Sequence, residues 1–312
     1  MHRALATLLA AFSLALASLA CSAAPLPPDA QARALDGTVL YAPPLAASEL
    51  AAREKQLAAA QAAYDSHPHD ADALVALGRR LAYVGRFRDA IDVFTRGIAE
   101  HPDDPRMYRH RGHRYITTRQ FTLAVPDLER AAELVKGKPD EVEPDLAAAP
   151  THPPLETLQS NIYYHLGLAN YLLGRYERAR VAYIECRRVS LNPDNVCSVS
   201  HWLYMTLRRM NREKEAQEVV AAIPVDMPVV EYHAYHQLCL AYADKIDIDS
   251  LYERTKRAGV DTTDFATVGY GVGNWHRYNG ERDQAFAIFR EVVAGKQWHA
   301  FGHIAAENEF AH

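Results

Sequence analysis

The sequence lacks the features that announce most enzymes. It holds no glycine-rich phosphate loop, no serine elbow, no paired catalytic carboxylates and no CxxC pair, so phosphoryl transfer, acyl transfer and thiol redox chemistry are without their usual centres. Net charge is small as well. A value of −5 over 312 residues gives no overall attraction for nucleic acid or an anionic membrane, so charge acts only locally. Cysteine is scarce, with four in the chain. What is present is 49% hydrophobic and 23% charged, a composition that can bury a sizeable core and is unlike that of a disordered chain.

The first residues read as an address rather than as fold. Arg3, the apolar run Ala4 to Leu19 and the small residues around Cys21 describe an export signal over residues 1–20. The run is too short and alanine-rich for a membrane span. Two processing outcomes are open. Cleavage after Ser18-Leu19-Ala20 leaves a soluble chain, whereas Ser18-Leu19-Ala20-Cys21 resembles a lipobox in which Cys21 carries a lipid anchor, with Ser18 standing where the pattern prefers Leu. Either outcome places the mature chain in the periplasm or anchored facing it, with membrane contact only through the anchor. Residues 21–46, with Pro25, Pro27, Pro28, Pro43 and Pro44, read as a Pro/Ala-rich tether.

In an oxidising compartment Cys186, Cys197 and Cys239 leave an odd count. Cys186 falls near the end of one predicted helix and Cys197 near the start of the next, so a Cys186–Cys197 bridge is the candidate disulfide. The alternative is that all three are small buried hydrophobes.

Internal repetition organises the rest. Leu74-x-x-Leu77-Gly78-x-x-Leu81 with Ala90-x-x-x-Phe94 is followed by Tyr108-x-x-Arg111-Gly112-x-x-Tyr115 with Ala124-x-x-x-Leu128, and both the glycines and the alanines are spaced by 34 residues. A third copy, Tyr163-x-x-Leu166-Gly167 with Ala179-x-x-x-Tyr183, lies 55 residues beyond the second, a surplus of 21 that coincides with a proline-rich insert at 136–155. Weaker copies are marked by Ala216 and Val220, and by Gly273, Ala285 and Phe289. Five residues before the marker alanines stand Gly85, Arg119, Gly174, Asn211 and Gly280, and all but Arg119 suit a left-handed helix end. This pattern resembles the tetratricopeptide repeat, in which small residues let two antiparallel helices approach closely. The resemblance implies an all-α solenoid over 47–312, with about five helix pairs, a leading helix from Leu50 to Tyr64 and a capping helix from Gln297 to Phe310.

What the resemblance implies for function is a binding scaffold that catalyses nothing, needs no cofactor and holds a protein or peptide in a concave groove made by the first helices. The family's concave positions fall on Arg79, Arg106, Arg109 and His113, then on Asn161, Tyr164 and Tyr171. The stretch Arg106 to Arg119 adds His110, Arg111 and Arg114. This is the densest positive cluster of an acidic chain, so an extended or acidic partner segment is expected there. Arg111 stands where the pattern is normally apolar and calls for a buried acidic partner. Two other classes remain. The tyrosine-rich later helices, among them Tyr232 and Tyr235, suit a glycan or peptidoglycan module. His299, His303 and Glu307, spaced by four residues on the terminal helix, are the metal candidates, although a row along one helix face converges poorly on one ion.

Overall fold

The computed structural model describes residues 25–143 and 155–311. Cys21, the export signal and the prolines from Pro144 to Pro154 lie outside them. A two-residue hairpin, β1 (Ala32–Arg33) against β2 (Val39–Leu40), is antiparallel with Ala32 opposite Leu40. The leading helix α1 (Ala47–Ser66) follows. Six antiparallel pairs then stack in sequence. They are α2 (Ala71–Tyr83) with α3 (Phe87–Glu100), α4 (Pro105–Thr117) with α5 (Phe121–Val135), and α6 (Leu158–Leu172) with α7 (Tyr176–Val189). After them come α8 (Pro193–Arg209) with α9 (Glu213–Ala221), α10 (His233–Tyr242) with α11 (Ile248–Ala258), and α12 (Thr263–Tyr278) with α13 (Arg282–Ala294), before the terminal α14 (Phe301–Asn308). The described residues form an all-α solenoid with six pairs where about five were expected.

Each pair is built by the same local chemistry. Every first helix but α10 starts on a side-chain cap, with Asp70 accepting from the Ala73 N–H at 2.8 Å, Asn192 from Asn195 at 2.9 Å and Thr262 from Phe265 at 3.1 Å. Such caps satisfy donors that the helix itself leaves open. Close approach inside a pair occurs where the repeat predicts it. A Cβ added at Gly112 would lie 2.7 Å from Leu128 Cγ, one at Gly273 would lie 2.6 Å from Phe289, and Gly78 and Gly167 sit hard against the rings of Phe94 and Tyr183. Ala90, Ala124, Ala179, Ala216 and Ala285 are fully buried.

The turn inside each pair holds one residue of positive φ. These are Gly85, Arg119, Gly174, Asn211, Asp244 and Gly280, with Arg119 at 64° and Asp244 at 56°. The following N–H reaches back five residues to a helix carbonyl, as in Gln120 to Tyr115 at 2.7 Å and Lys245 to Leu240 at 2.9 Å, which closes a Schellman end. Arg119, the exception in the sequence pattern, therefore adopts the same left-handed geometry as its glycine counterparts.

The stack curves until it meets itself. Tyr171 on α6 shares a hydrogen bond of 2.7 Å with Tyr270 on α12 and accepts one of 2.9 Å from Asn274. The last segment returns to the first pair. Trp298 packs edge-on against Phe87 at 5.4 Å and joins the core of α2 and α3. Glu307 receives Arg119 at 2.5 Å and the Leu35 N–H at 2.5 Å. Asn308 donates to the Leu172 carbonyl at 2.9 Å, and Gly302 lies against the backbone of Ala266.

Two expectations are corrected here. Residues 25–46 are not a free tether. Ala30 and Ala32 are buried, Arg88 donates to the Ala30 carbonyl, and Trp298 donates to the Tyr41 carbonyl at 2.8 Å. The Cys186–Cys197 bridge is not formed, because the two thiols serve different interfaces. Cys186 donates to the Ser160 carbonyl at 3.3 Å across α6 and α7, while Cys197 contacts Met227 at 3.4 Å. Cys186, Cys197 and Cys239 are all free and buried. Burial pushes the Cys186 and Cys197 thiols up to about 12, as in inert core cysteines.

Candidate ligand chamber

The first helices and the returning tail line a half-open pocket of about 740 Å³, within the size range of small-ligand sites. The expected groove is therefore not continuous. Rings of Tyr171, Trp202 and Tyr270 fill its later half, and α14 crosses the remainder. One wall carries Arg79 from α2 with Arg109, His113 and Arg114 from α4. Residues 109 and 113 stand one turn apart and so share a face. The opposite wall carries Tyr164 and His165 from α6 with Tyr232 and Tyr235 at the start of α10. Phe301 stands between the walls, 5.3 Å from the His113 ring and 6.0 Å from Tyr164.

Both flanks of the insert reach this space. Val142 bridges Thr157 in antiparallel fashion, and the Glu143 N–H donates to the Glu156 carbonyl at 2.9 Å. The pairing aims two carboxylates at the chamber. Glu143 accepts from Arg109 Nη2 and from Asn161 Nδ2, each at 2.7 Å. Glu156 accepts from the Tyr232 hydroxyl at 2.6 Å, and burial raises its pKa above the usual carboxylate range. Arg109 also contacts His110 Nδ1 at 2.8 Å. Burial lowers the Arg109 pKa, and Glu143 opposes that shift.

Arg114 differs from its neighbours. Its guanidinium lies 5.5 Å from the Phe87 ring centroid, with no carboxylate at ion-pair distance among the described residues. Burial, followed by repulsion from Arg109, pushes its pKa down to about 9, which leaves it charged at neutral pH. His113 and His165, tilted together with ring centroids 4.1 Å apart, are both pushed well below the ordinary histidine value, first by burial and then by nearby arginines, and stay neutral. Several buried polar atoms at the chamber have no protein hydrogen-bond partner. They are Arg109 Nε, Glu143 Oε1, His165 Nε2 and His299 Nδ1. Such a concentration of unsatisfied groups in one place is what a site for a polar ligand displays.

The fate of the sequence candidates divides by position. Arg79, Arg109, His113, Asn161 and Tyr164 line the chamber. Arg106 does not. It lies at the outer edge, tied to Asp104 and to Asp72 at 2.6 Å each, because the first turn of α4 points away from the cavity. His110 sits behind the wall, stacked on Phe94 at 5.2 Å. Tyr171 is core, since the curvature lays α12 over it. Arg111 does find its acid, a two-pronged pair with buried Asp127 at 2.7 Å. The metal candidates do not converge. Glu307 is held by Arg119, His299 lines the chamber, and no group of three His, Cys, Asp or Glu residues among those described could hold an ion. Arg114, Glu143 and Glu156 escaped assignment. Arg114 lies one residue off the family's concave positions, and the two glutamates belong to an insert with no periodicity.

Comparison with known proteins agrees with the helix pairs. The tetratricopeptide repeat pattern matches residues 71–114 and 160–195. No protein of curated function matches the sequence. Among solved structures, the APC/C hetero-tetramer Cut9–Hcn1 aligns over 78% of this chain and 43% of that chain, at 14% identity and a TM-score of 0.51. YrrB, described as a TPR protein with an unusual peptide-binding site, aligns over 77% of this chain and 92% of that chain, at 14% identity and a TM-score of 0.44. Pseudomonas aeruginosa pilF aligns over 72% and 90%, at 15% identity and a TM-score of 0.44. At these identities the likeness concerns the fold alone. Among the described residues the chain is an all-α solenoid, and its segments 71–114 and 160–195 match the tetratricopeptide repeat.

Proposed function

We propose that this is an exported scaffold of the cell envelope that catalyses nothing and holds an acidic segment of a partner protein by its end, within the chamber. The observation that carries the reading is Arg114, a guanidinium in a concave wall with no carboxylate at ion-pair distance among the described residues. Arg79 and Arg109 reinforce the same sign, and a pocket crossed by the returning tail favours a chain end over a segment threaded along a continuous groove. Arginine forks match carboxylates in both geometry and charge. Export rests on the pattern of residues 1–20.

Immobilised protein exposed to envelope extract is expected to retain a partner with an acidic terminal stretch, and Arg114→Gln to release it. Capture that is unaffected by Arg114→Gln and Arg79→Gln together rejects the chamber as the binding surface. Retention of purified sac material without any protein replaces this reading with the glycan one.

A further inference from the structure

The chamber wall holds two ionisable groups with no ion pair among the described residues. Arg114 has no carboxylate and Glu156 no basic side chain at ion-pair distance; the one side-chain hydrogen bond of Glu156 comes from the Tyr232 hydroxyl, and Arg109 acts on it from farther off. No ion pair joins the two. The groups acting on Arg114 are Arg109, Arg79 and Tyr83, whereas those acting on Glu156 are Tyr232, Arg109, Glu143 and Glu231. The positive pole comes from α2 and α4 and the negative pole from the insert flank, with Tyr164, Tyr235 and Phe301 lining the same space. Taking an ion out of water is costly unless an opposite charge meets it. A concave site with one group of each sign that lacks an ion pair is complementary to a body that brings both charges.

We propose that the chamber is a two-pole site for a zwitterionic ligand, whose anionic group meets Arg114, whose ammonium meets Glu156 and whose body lies against Tyr164, Tyr235 and Phe301. This rests on the chamber being the binding site and adds what enters it. An acidic segment is admitted by its amino end, and a free amino acid or short peptide offers the same chemistry.

Titration calorimetry on the full chain tests this with three kinds of probe. These are a tripeptide with an N-terminal aspartate and a free amine, its N-acetyl form, and a longer peptide beginning with the same sequence. Acetylation is expected to weaken binding about tenfold or more in the wild type and to have little effect in Glu156→Gln. Replacing the aspartate by alanine is expected to weaken binding in the wild type but not in Arg114→Gln. Tight binding of the tripeptide itself assigns the site to small solutes. Binding of the longer peptide alone assigns it to a partner's amino end. Equal affinity for the free and acetylated peptides overturns the two-pole assignment while leaving an anion-binding chamber intact. If no peptide of either length binds, the chamber reading falls with it. The acetylation series in the wild type decides the question even if a variant fails to fold.

Discussion

Replacing Arg119 by glycine sets two effects of known sign against each other. The residue sits at φ 64°, where any side chain costs about 1–3 kcal/mol, and glycine removes that cost. Glycine also deletes a buried guanidinium. Arg119 pairs with Glu307 at 2.5 Å, donates to the Trp298 and Thr117 carbonyls at 2.8 and 2.7 Å, and lies 5.2 Å from the Trp298 ring. The Glu307 side chain is 6% exposed, so it would be left as an uncompensated charge, a loss of about 3–5 kcal/mol. The loss wins, and Arg119→Gly is expected to destabilise the fold by about 2 kcal/mol in urea unfolding. Adding Glu307→Gln, which removes the stranded charge, is expected to recover part of it. A glycine variant as stable as the parent, or more so, would refute the claim that the ion pair outweighs the backbone strain.

Gly112→Ala is expected to cost about 1–3 kcal/mol through overpacking, since its Cβ would meet Leu128 at 2.7 Å; a melting temperature equal to the parent's contradicts the close approach. Mild acid is expected to weaken the fold. Burial lowers His201 to about 3 and His303 to about 4, whereas unfolded histidine titrates near 6.5. Above about pH 6.5 both states are neutral and stability is full; below it only the unfolded chain gains protons, so stability drops by up to about 1.4 kcal/mol per pH unit for each such histidine until the folded values are reached. Unfolding free energies that stay flat from pH 7 to pH 4.5 would count against these buried neutral rings.

The helix pairs were legible because their signals are local. Gly78 meets Phe94 and Gly112 meets Leu128 within a single repeat, so the constraint is written in a short stretch of chain. The pair α10 and α11 was harder to see, since its left-handed turn is supplied by Asp244 rather than by glycine. Closure of the stack was not legible at all. It depends on Arg119 meeting Glu307, 188 residues away, and on Tyr41 meeting Trp298, 257 residues away, and no periodicity encodes such pairings. The same limit explains the site. Arg79 and Arg109 followed from repeat position, but Tyr171 was misjudged because curvature, a property of the whole stack, decides which concave residues stay open.

An open rod of repeats loosens from its extremities, where the terminal unit has a neighbour on one side only. Here Leu35 and Tyr41 are fastened to Glu307 and Trp298, so the first unit and the last support one another like staves under a hoop. Fraying has no privileged starting point, and melting is expected to proceed as one concerted event rather than unit by unit.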